Sequence, residues 1–247
     1  LITPDEVRSI LAMGGDVPAK RAFVHHALGE LYEGDAAKLA KAWALEGTDF
    51  EGLCEGGPKA PDDDIEKLRR FYEDAYYSFA YKTIKSIDPN HLYLGNWIVP
   101  GWWINEEDWR IHARSCDVIG YDRYSRSYDD ELLQRLQKQT DKPTLCGEFS
   151  LPAWYEGRRG MGRYGANTVD DDEAGQLYEQ WVKGAAADPY CVGLEWFLFR
   201  DQPITGRGPG RGPELVHGEH FAFGVVTETD RAKWPLVTKM RDANLQA

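Results

Sequence analysis

The second part of the chain alternates short apolar runs with segments of helical periodicity, and this alternation constrains the fold more than any other feature. The apolar runs cover residues 91–97, 116–124, 142–149 and 190–199. The helical segments cover residues 105–115, 129–139, 171–187 and 235–243. Apolar strands joined by helices are typical of a parallel sheet that helices cover. The pattern therefore predicts an α/β fold with four parallel strands.

The first part of the chain is predicted to be helical. After an irregular start, apolar residues recur at helical spacing from Pro18 to Trp43, which indicates one or two amphipathic helices. A polar segment rich in Gly and Pro follows. Asp62 to Asp64 then resemble the acidic first turn of a long helix that extends through Lys85.

Composition limits the possible function classes. The chain of 247 residues has no apolar run long enough to cross a bilayer, which excludes a membrane-spanning protein. Its net charge of -12 argues against nucleic acid as the main partner and favours a neutral one. Nine Trp and thirteen Tyr suit both a core and the faces of sugars. The four cysteines lack zinc-site spacing, and the start at LITPDEVRS lacks a leader pattern, as in a processed or truncated chain.

Polar and aromatic side chains close each predicted strand. In parallel folds functional groups gather at the carboxyl ends of strands. The residues at these ends are Asn96, Trp97, Asp122, Tyr124, Glu148 and the stretch from Trp196 to Asp201. A carboxylate, amides and aromatic rings together are typical of a sugar site. No strand is followed by a glycine-rich phosphate loop, which argues against a nucleotide site.

Glu148 is the strongest single candidate. It ends an apolar run directly after Gly147 and before Phe149. An ionisable group in this position is costly unless it is paired or functional. One interpretation is a structural ion pair with an arginine, and the other, which the strand-end position favours, is catalysis.

Several motifs together resemble the carboxyl-terminal part of clan A glycoside hydrolases, and most closely family 50, the β-agarases. They are PAKRAFVHHALGELY, KAW, GTDF, DPNHLYLG, CDVIGYDRY, KPTLCGEF, VGLEWFLFRDQPITGR and GEHFAFGVV. Family 42 β-galactosidases are more distantly similar. The resemblance implies a (β/α)8 TIM-barrel fold, of which this chain supplies roughly the second half, strands five to eight. Residues 1–247 then form the carboxyl-terminal part of one catalytic domain, and residues 1–50 follow the fourth strand.

The resemblance also implies roles for individual residues in the retaining hydrolysis of a β-linked galactan, without a cofactor. Glu148 corresponds to the nucleophile on the seventh strand, and Tyr124 hydrogen-bonds it from the sixth. Trp196 corresponds to the floor of the subsite for the sugar being cleaved, and Glu219 to a contact with a substrate hydroxyl. The other substrate-binding candidates are Asn96, Trp97, Asp122, Trp154 and Asp201.

A retaining mechanism needs a second carboxyl group as acid and base. In the family this Glu follows an Asn at the end of the fourth strand, which would lie upstream of Leu1. Asn105 and Glu106 form the same dipeptide but resemble a helix cap and its acidic first turn. We therefore expect the acid/base and the amino-terminal half of the barrel outside this chain, as a tightly associated segment. Secretion or a periplasmic location is compatible with the family.

Three positions depart from the family pattern and leave the substrate open. Glu195 replaces a His, Asp122 an Asn, and Trp97 an Arg. Glu195 lies on the opposite side of its strand from Trp196, which favours a salt bridge behind the barrel wall over a functional carboxylate. The alternatives are a β-galactosidase-like enzyme and a catalytically incomplete carbohydrate-binding homologue. A metal-dependent hydrolase would need His at strand ends, and this chain has none there. A purely structural domain would bury Glu148 against an Arg.

Overall fold

The computed structural model describes residues 2–101, 104–128, 131–154, 166–206 and 218–247. The chain divides into two compact units, Leu1–Pro89 and Asn90–Ala247. No helix in the described part of the chain is both long and apolar enough to cross a membrane. The assignment of the whole chain to one catalytic domain stays a prediction.

The first unit is helical, as predicted. Its helices are α1 (Pro4–Leu11), α2 (Pro18–His26), α3 (Ala36–Ala42), α4 (Phe50–Glu55) and α5 (Asp62–Ile87), with a π-helical turn (Ala27–Leu31) after α2. The long helix α5 is confirmed within two residues at its end. The prediction of an irregular segment before Pro18 was wrong, because Thr3 and Glu6 form a capping box that begins α1.

Asp64 of α5 organises the interior of this unit. Its Oδ2 accepts hydrogen bonds from Tyr32 Oη at 2.6 Å and from Trp43 Nε1 at 2.8 Å. Asp64 is buried, so both donors offset the cost of removing its carboxylate from water. Tyr32 and Trp43 are thereby held against the apolar core of the unit.

The second unit contains a parallel three-stranded sheet of order β1-β2-β3. Its strands are β1 (Ile119–Asp122), β2 (Thr144–Phe149) and β3 (Cys191–Trp196), and its helices are α6 (Glu106–Arg114), α7 (Glu131–Thr140), α8 (Asp171–Ala187) and α9 (Trp234–Asn244). The predicted α/β class, the parallel pairing and three of the four strands are confirmed. The (β/α)8 closure stays a prediction.

The predicted strand at 91–97 was wrong. This segment runs beside β1, since Gly120 donates to Leu94 O over 2.9 Å, but only Ile98 forms an isolated bridge, with Tyr121. Gly95 adopts a φ of 72°, which interrupts extended geometry. A side chain at Gly95 would also meet the ring of His112. The apolar run therefore follows the sheet edge without forming a regular strand.

The two faces of the sheet have different surroundings. Tyr121, Cys146 and Phe149 are buried in the core between the sheet and its helices. Phe149 stacks on Trp181 of α8, with ring centroids 4.7 Å apart. Gly120 lies on the opposite face from Tyr121, because side chains alternate along a strand. This opposite face carries the candidate site.

Candidate active site

Glu148 lies at the carboxyl end of β2, where the strand register is irregular. It pairs across the sheet with Asp122, the last residue of β1, and register shifts flank both residues. The irregularity is a bulge-like feature of the kind that redirects side chains near active sites. Glu148 is half-buried, with no arginine partner in the described residues. The structural ion pair considered for it is therefore not formed there.

Tyr124, two residues beyond β1, makes the hydrogen bond expected from the sequence. Its Oη donates to Glu148 Oε2 at 2.8 Å. Burial, followed by the negative charge of Glu148, raises the pKa of the Tyr124 phenol well above its usual range. Tyr124 is therefore a neutral donor that orients the carboxylate. The catalytic role of either residue stays a prediction.

Asp122 brings a second carboxyl group to the same end of the sheet. Its Oδ1 is fully buried and has no hydrogen-bond partner in the described part of the chain. Burial, and then the negative charge of Glu148, raise the pKa of Asp122 to about 7. Both causes disfavour the ionised form, so Asp122 holds its proton up to near-neutral pH.

Trp97 covers the glycines beside these carboxyl groups. A Cβ on Gly120 would lie 2.2 Å from the Trp97 ring, and one on Gly147 would lie 2.4 Å from it. Only residues without a side chain allow this approach, and the indole remains 36% exposed. Trp97 thus presents an apolar surface on the face that carries Asp122, which follows Gly120 by two residues.

Trp196 packs against the core on the helix side of the sheet, and its role as the floor of the subsite stays a prediction. Its ring contacts Phe149 and Tyr178, with centroids 5.3 and 5.7 Å away, and it belongs to the core under α8. The ring beside Tyr124 is instead that of Phe197, edge-on at 6.4 Å. Consecutive strand residues face opposite sides, so a shift of one residue exchanges the core and site positions.

Glu195 is placed on the other side from the one expected. Leu194 and Trp196 both pack in the helix-facing core, so Glu195 points to the opposite face. Its side chain is exposed, and no salt bridge forms behind the sheet within the described residues. The prediction that Glu195 and Trp196 lie on opposite sides of β3 is confirmed. The prediction that Glu195 is the one on the helix side was wrong.

Glu219 and Asp201 lie on the segments after β3. Gln202 Nε2 donates to Glu219 Oε2 at 2.8 Å, and the charge of Glu219 contributes to the raised pKa of Tyr124. The charge of Glu219 thus acts on the Tyr124 phenol. Asp201 is buried, and its Oδ1 accepts from Lys233 Nζ at 2.7 Å and from Gly224 N at 2.8 Å. These hydrogen bonds connect Asp201 to Gly224 and Lys233 and so stabilise the fold of these segments. The predicted contact of Asp201 with substrate stays a prediction.

Asn96 and Trp154 complete the predicted binding residues. Asn96 is half-buried next to Trp97 and makes no hydrogen bond to any residue that the structure describes. The Trp154 side chain is 52% exposed, while its backbone N–H donates to Thr168 O. An exposed indole is available for stacking on a sugar ring.

Asn105 is a helix cap, as predicted. Its side chain accepts from the backbone N–H groups of Glu107 and Asp108, and Glu106 binds Arg135 and Gln139. These contacts argue against Asn105 and Glu106 as the acid/base pair. Among the described residues no cluster of three His, Cys, Asp or Glu side chains is arranged to hold a metal ion.

Sequence reasoning missed the aromatic cluster beside Tyr124. Phe197 and Phe223 lie 5.4 Å apart, and the Tyr124 ring is 5.7 Å from Phe223. The motif GEHFAFGVV contains Phe223, but its pattern does not indicate which strand end it approaches. Phe223 O also accepts from Trp196 Nε1 at 2.8 Å, which links this segment to β3.

Comparison with known proteins identifies β-agarases as the relatives of this chain. Beta-agarase B of Vibrio sp. (strain JT0107) is 28% identical over 233 residues, and Beta-agarase A of the same strain is 27% identical over 241 residues. Each alignment covers 92% of this chain but only 23% of the relative. An exo-β-agarase of known structure matches with a TM-score of 0.78 at 25% identity, over 96% of this chain and 31% of that one. No protein-family model matches the chain.

Proposed function

We propose that this chain supplies the nucleophile side of a β-agarase-like glycoside hydrolase that acts on a β-linked galactan with retention of configuration. The observation that carries the proposal is the position of Glu148 at the carboxyl end of β2, held by Tyr124. The similarity to β-agarases over 92% of the chain supports the reaction class.

In this mechanism Glu148 attacks the anomeric carbon and forms a glycosyl-enzyme intermediate, which water then hydrolyses. The second carboxyl group protonates the leaving oxygen and later activates the water, about 5 to 5.5 Å from the nucleophile. We place this acid/base Glu outside the 247 residues, because Asn105 and Glu106 are engaged in capping and surface contacts. Tyr124 keeps Glu148 oriented throughout.

We also propose that β1, β2 and β3 belong to a (β/α)8 barrel and lie in its second half. Their sequential order, parallel pairing and intervening helices α7 and α8 fit this architecture. The face that carries Gly120, Asp122 and Glu195 would then line the barrel interior. The contact of Trp196 with Tyr178 of α8 fits a position between the barrel strands and the outer layer of helices.

The test is covalent labelling of Glu148 in the gene product that contains these residues. A 2-deoxy-2-fluoro-β-galactoside with a dinitrophenolate leaving group needs a nucleophile but little acid assistance, so labelling reports on Glu148 itself. Peptide mass spectrometry should place the adduct on Glu148. Glu148→Gln should abolish the adduct, and Glu179→Gln, a change on α8 at a residue that pairs with Lys183, should leave it unchanged. A folded protein that binds the sugar without labelling would be a carbohydrate-binding homologue.

A further inference from the structure

We propose that Asp122 is held as the neutral carboxylic acid of a strand-paired carboxyl couple with Glu148, so that Glu148 carries the only negative charge of the couple. The inference rests on the proposed function of Glu148 as nucleophile. Asp122 is in this scheme a positioning residue. It keeps the nucleophile undisturbed by a second charge and sets the upper pH limit of the reaction.

The first support is the pairing itself. Asp122 and Glu148 are partners across the adjacent parallel strands β1 and β2, at the carboxyl end of each. Where the charge of one carboxylate acts on another in a partly desolvated place, the two do not ionise equally. Glu148 accepts a hydrogen bond from Tyr124, whereas Oδ1 of Asp122 has no donor among the described residues.

The second support is a carboxyl oxygen of Asp122 that is buried without a hydrogen-bond donor among the described residues. Oδ1 is buried and accepts no hydrogen bond from the residues that the structure describes. A buried carboxylate oxygen without a donor is costly, whereas the corresponding oxygen of a neutral acid is much less so. The apolar ring of Trp97 lies over Gly120 on the same face and adds to the desolvation.

The surrounding titratable groups do not oppose this assignment. Glu148 pairs with Asp122 from β2, Tyr124 follows it beyond β1, and Glu195 of β3 points to the same face of the sheet. Cys146 lies on the helix-facing side of β2, and burial raises the pKa of its thiol. The Arg123 guanidinium donates to the carbonyl oxygen of Pro100. Burial and the charge of Glu148 are the two causes that act on Asp122, and both favour its protonated form.

The consequence for activity is a loss at alkaline pH. When Asp122 ionises near pH 7, two carboxylates oppose each other, and Glu148 is repelled from the position that Tyr124 holds. The rate constant for inactivation by the fluorinated galactoside should then fall about tenfold between pH 6 and pH 8.5. Asp122→Asn keeps the shape but cannot ionise, so its inactivation rate constant, whatever its value at pH 6, should stay level to pH 8.5.

A second measurement does not depend on catalysis. The pKa of Asp122 is about 7 in the folded state and about 3.9 in an unfolded chain. Between these values the folded protein binds the extra proton, so stability falls as the pH rises through this window. Asp122→Asn lacks this fall, so its melting temperature should rise relative to the unchanged protein between pH 4 and pH 8. Asp242→Asn, an exposed change on α9, is the matched control and should show neither effect.

The outcomes are separable. Identical pH profiles of Asp122→Asn and the unchanged protein in both measurements would overturn the inference. Absence of labelling in every variant would overturn the nucleophile function of Glu148. The melting temperatures would still decide whether Asp122 is a neutral acid.

Discussion

Tyr124 donates a 2.8 Å hydrogen bond to Glu148 from the loop after the neighbouring strand. The bond links the segment after β1 to β2 where the strand register is irregular, and it orients the Glu148 carboxylate. Phe197 and Phe223 pack around the Tyr124 ring and restrict its position. Orientation of Glu148 thus depends on three separate segments of the chain.

Replacement of Tyr124 by Phe should slow the labelling of Glu148 about 10- to 100-fold, because a hydrogen bond to a charged group contributes about 1.5 to 3 kcal/mol. Tyr128→Phe is a matched control, since Tyr128 Oη donates to Asp188 instead. It should destabilise the fold without a comparable effect on the labelling rate. Equal losses in the two variants would mean that Tyr124 acts only through stability.

Replacement of Glu148 by Ala should lower hydrolysis of an activated galactoside by at least about 10⁴-fold. Azide can enter the space left by the carboxylate and attack the anomeric carbon directly. Added azide should therefore restore turnover and give a galactosyl azide of inverted configuration, which NMR distinguishes. A product of retained configuration would contradict the assignment of Glu148 as nucleophile.

Replacement of Lys233 by Met should destabilise the second unit by about 3 to 5 kcal/mol, because it leaves the buried Asp201 carboxylate without its cation. Lys239→Met on α9 is the control, since Lys239 pairs with the more exposed Asp172 at 3.8 Å. Its cost should be about 0 to 1 kcal/mol. Urea denaturation measures the loss in free energy of unfolding for both variants. Similar losses would contradict the prediction that breaking the buried Lys233–Asp201 pair costs more than breaking an exposed pair.

Replacement of Gly147 by Ala should displace the Trp97 indole, because the new Cβ would lie 2.4 Å from the ring. We expect a loss of stability, a change in tryptophan fluorescence and slower labelling of Glu148, the next residue. Gly57→Ala, where the added Cβ meets no atom within 4 Å, is the control. Combination with Trp97→Ala should relieve the loss of stability, and absence of such relief would mean that another contact is responsible.

Local signals were sufficient for the well-defined helices. The acidic first turn of α5 and the cap at Asn105 follow directly from the sequence, since capping depends on a few neighbouring residues. The capping box at Thr3 was equally readable and was overlooked. The segment 91–97 was misread because its apolar composition suits a strand, while Gly95 bends the backbone.

The sequence by itself determined the alternation of strands and helices, the parallel sheet and the place of Glu148 at a strand end, because periodicity and local apolar runs set these features. Only the tertiary structure decided which side of β3 faces the helices, and so which of Trp196 and Phe197 has its ring beside Tyr124. Alternation defines the relative sides of neighbouring residues, but packing against α8 defines the absolute side. The pairing of Asp122 with Glu148 and the burial that keeps Asp122 protonated likewise depend on residues distant in the chain.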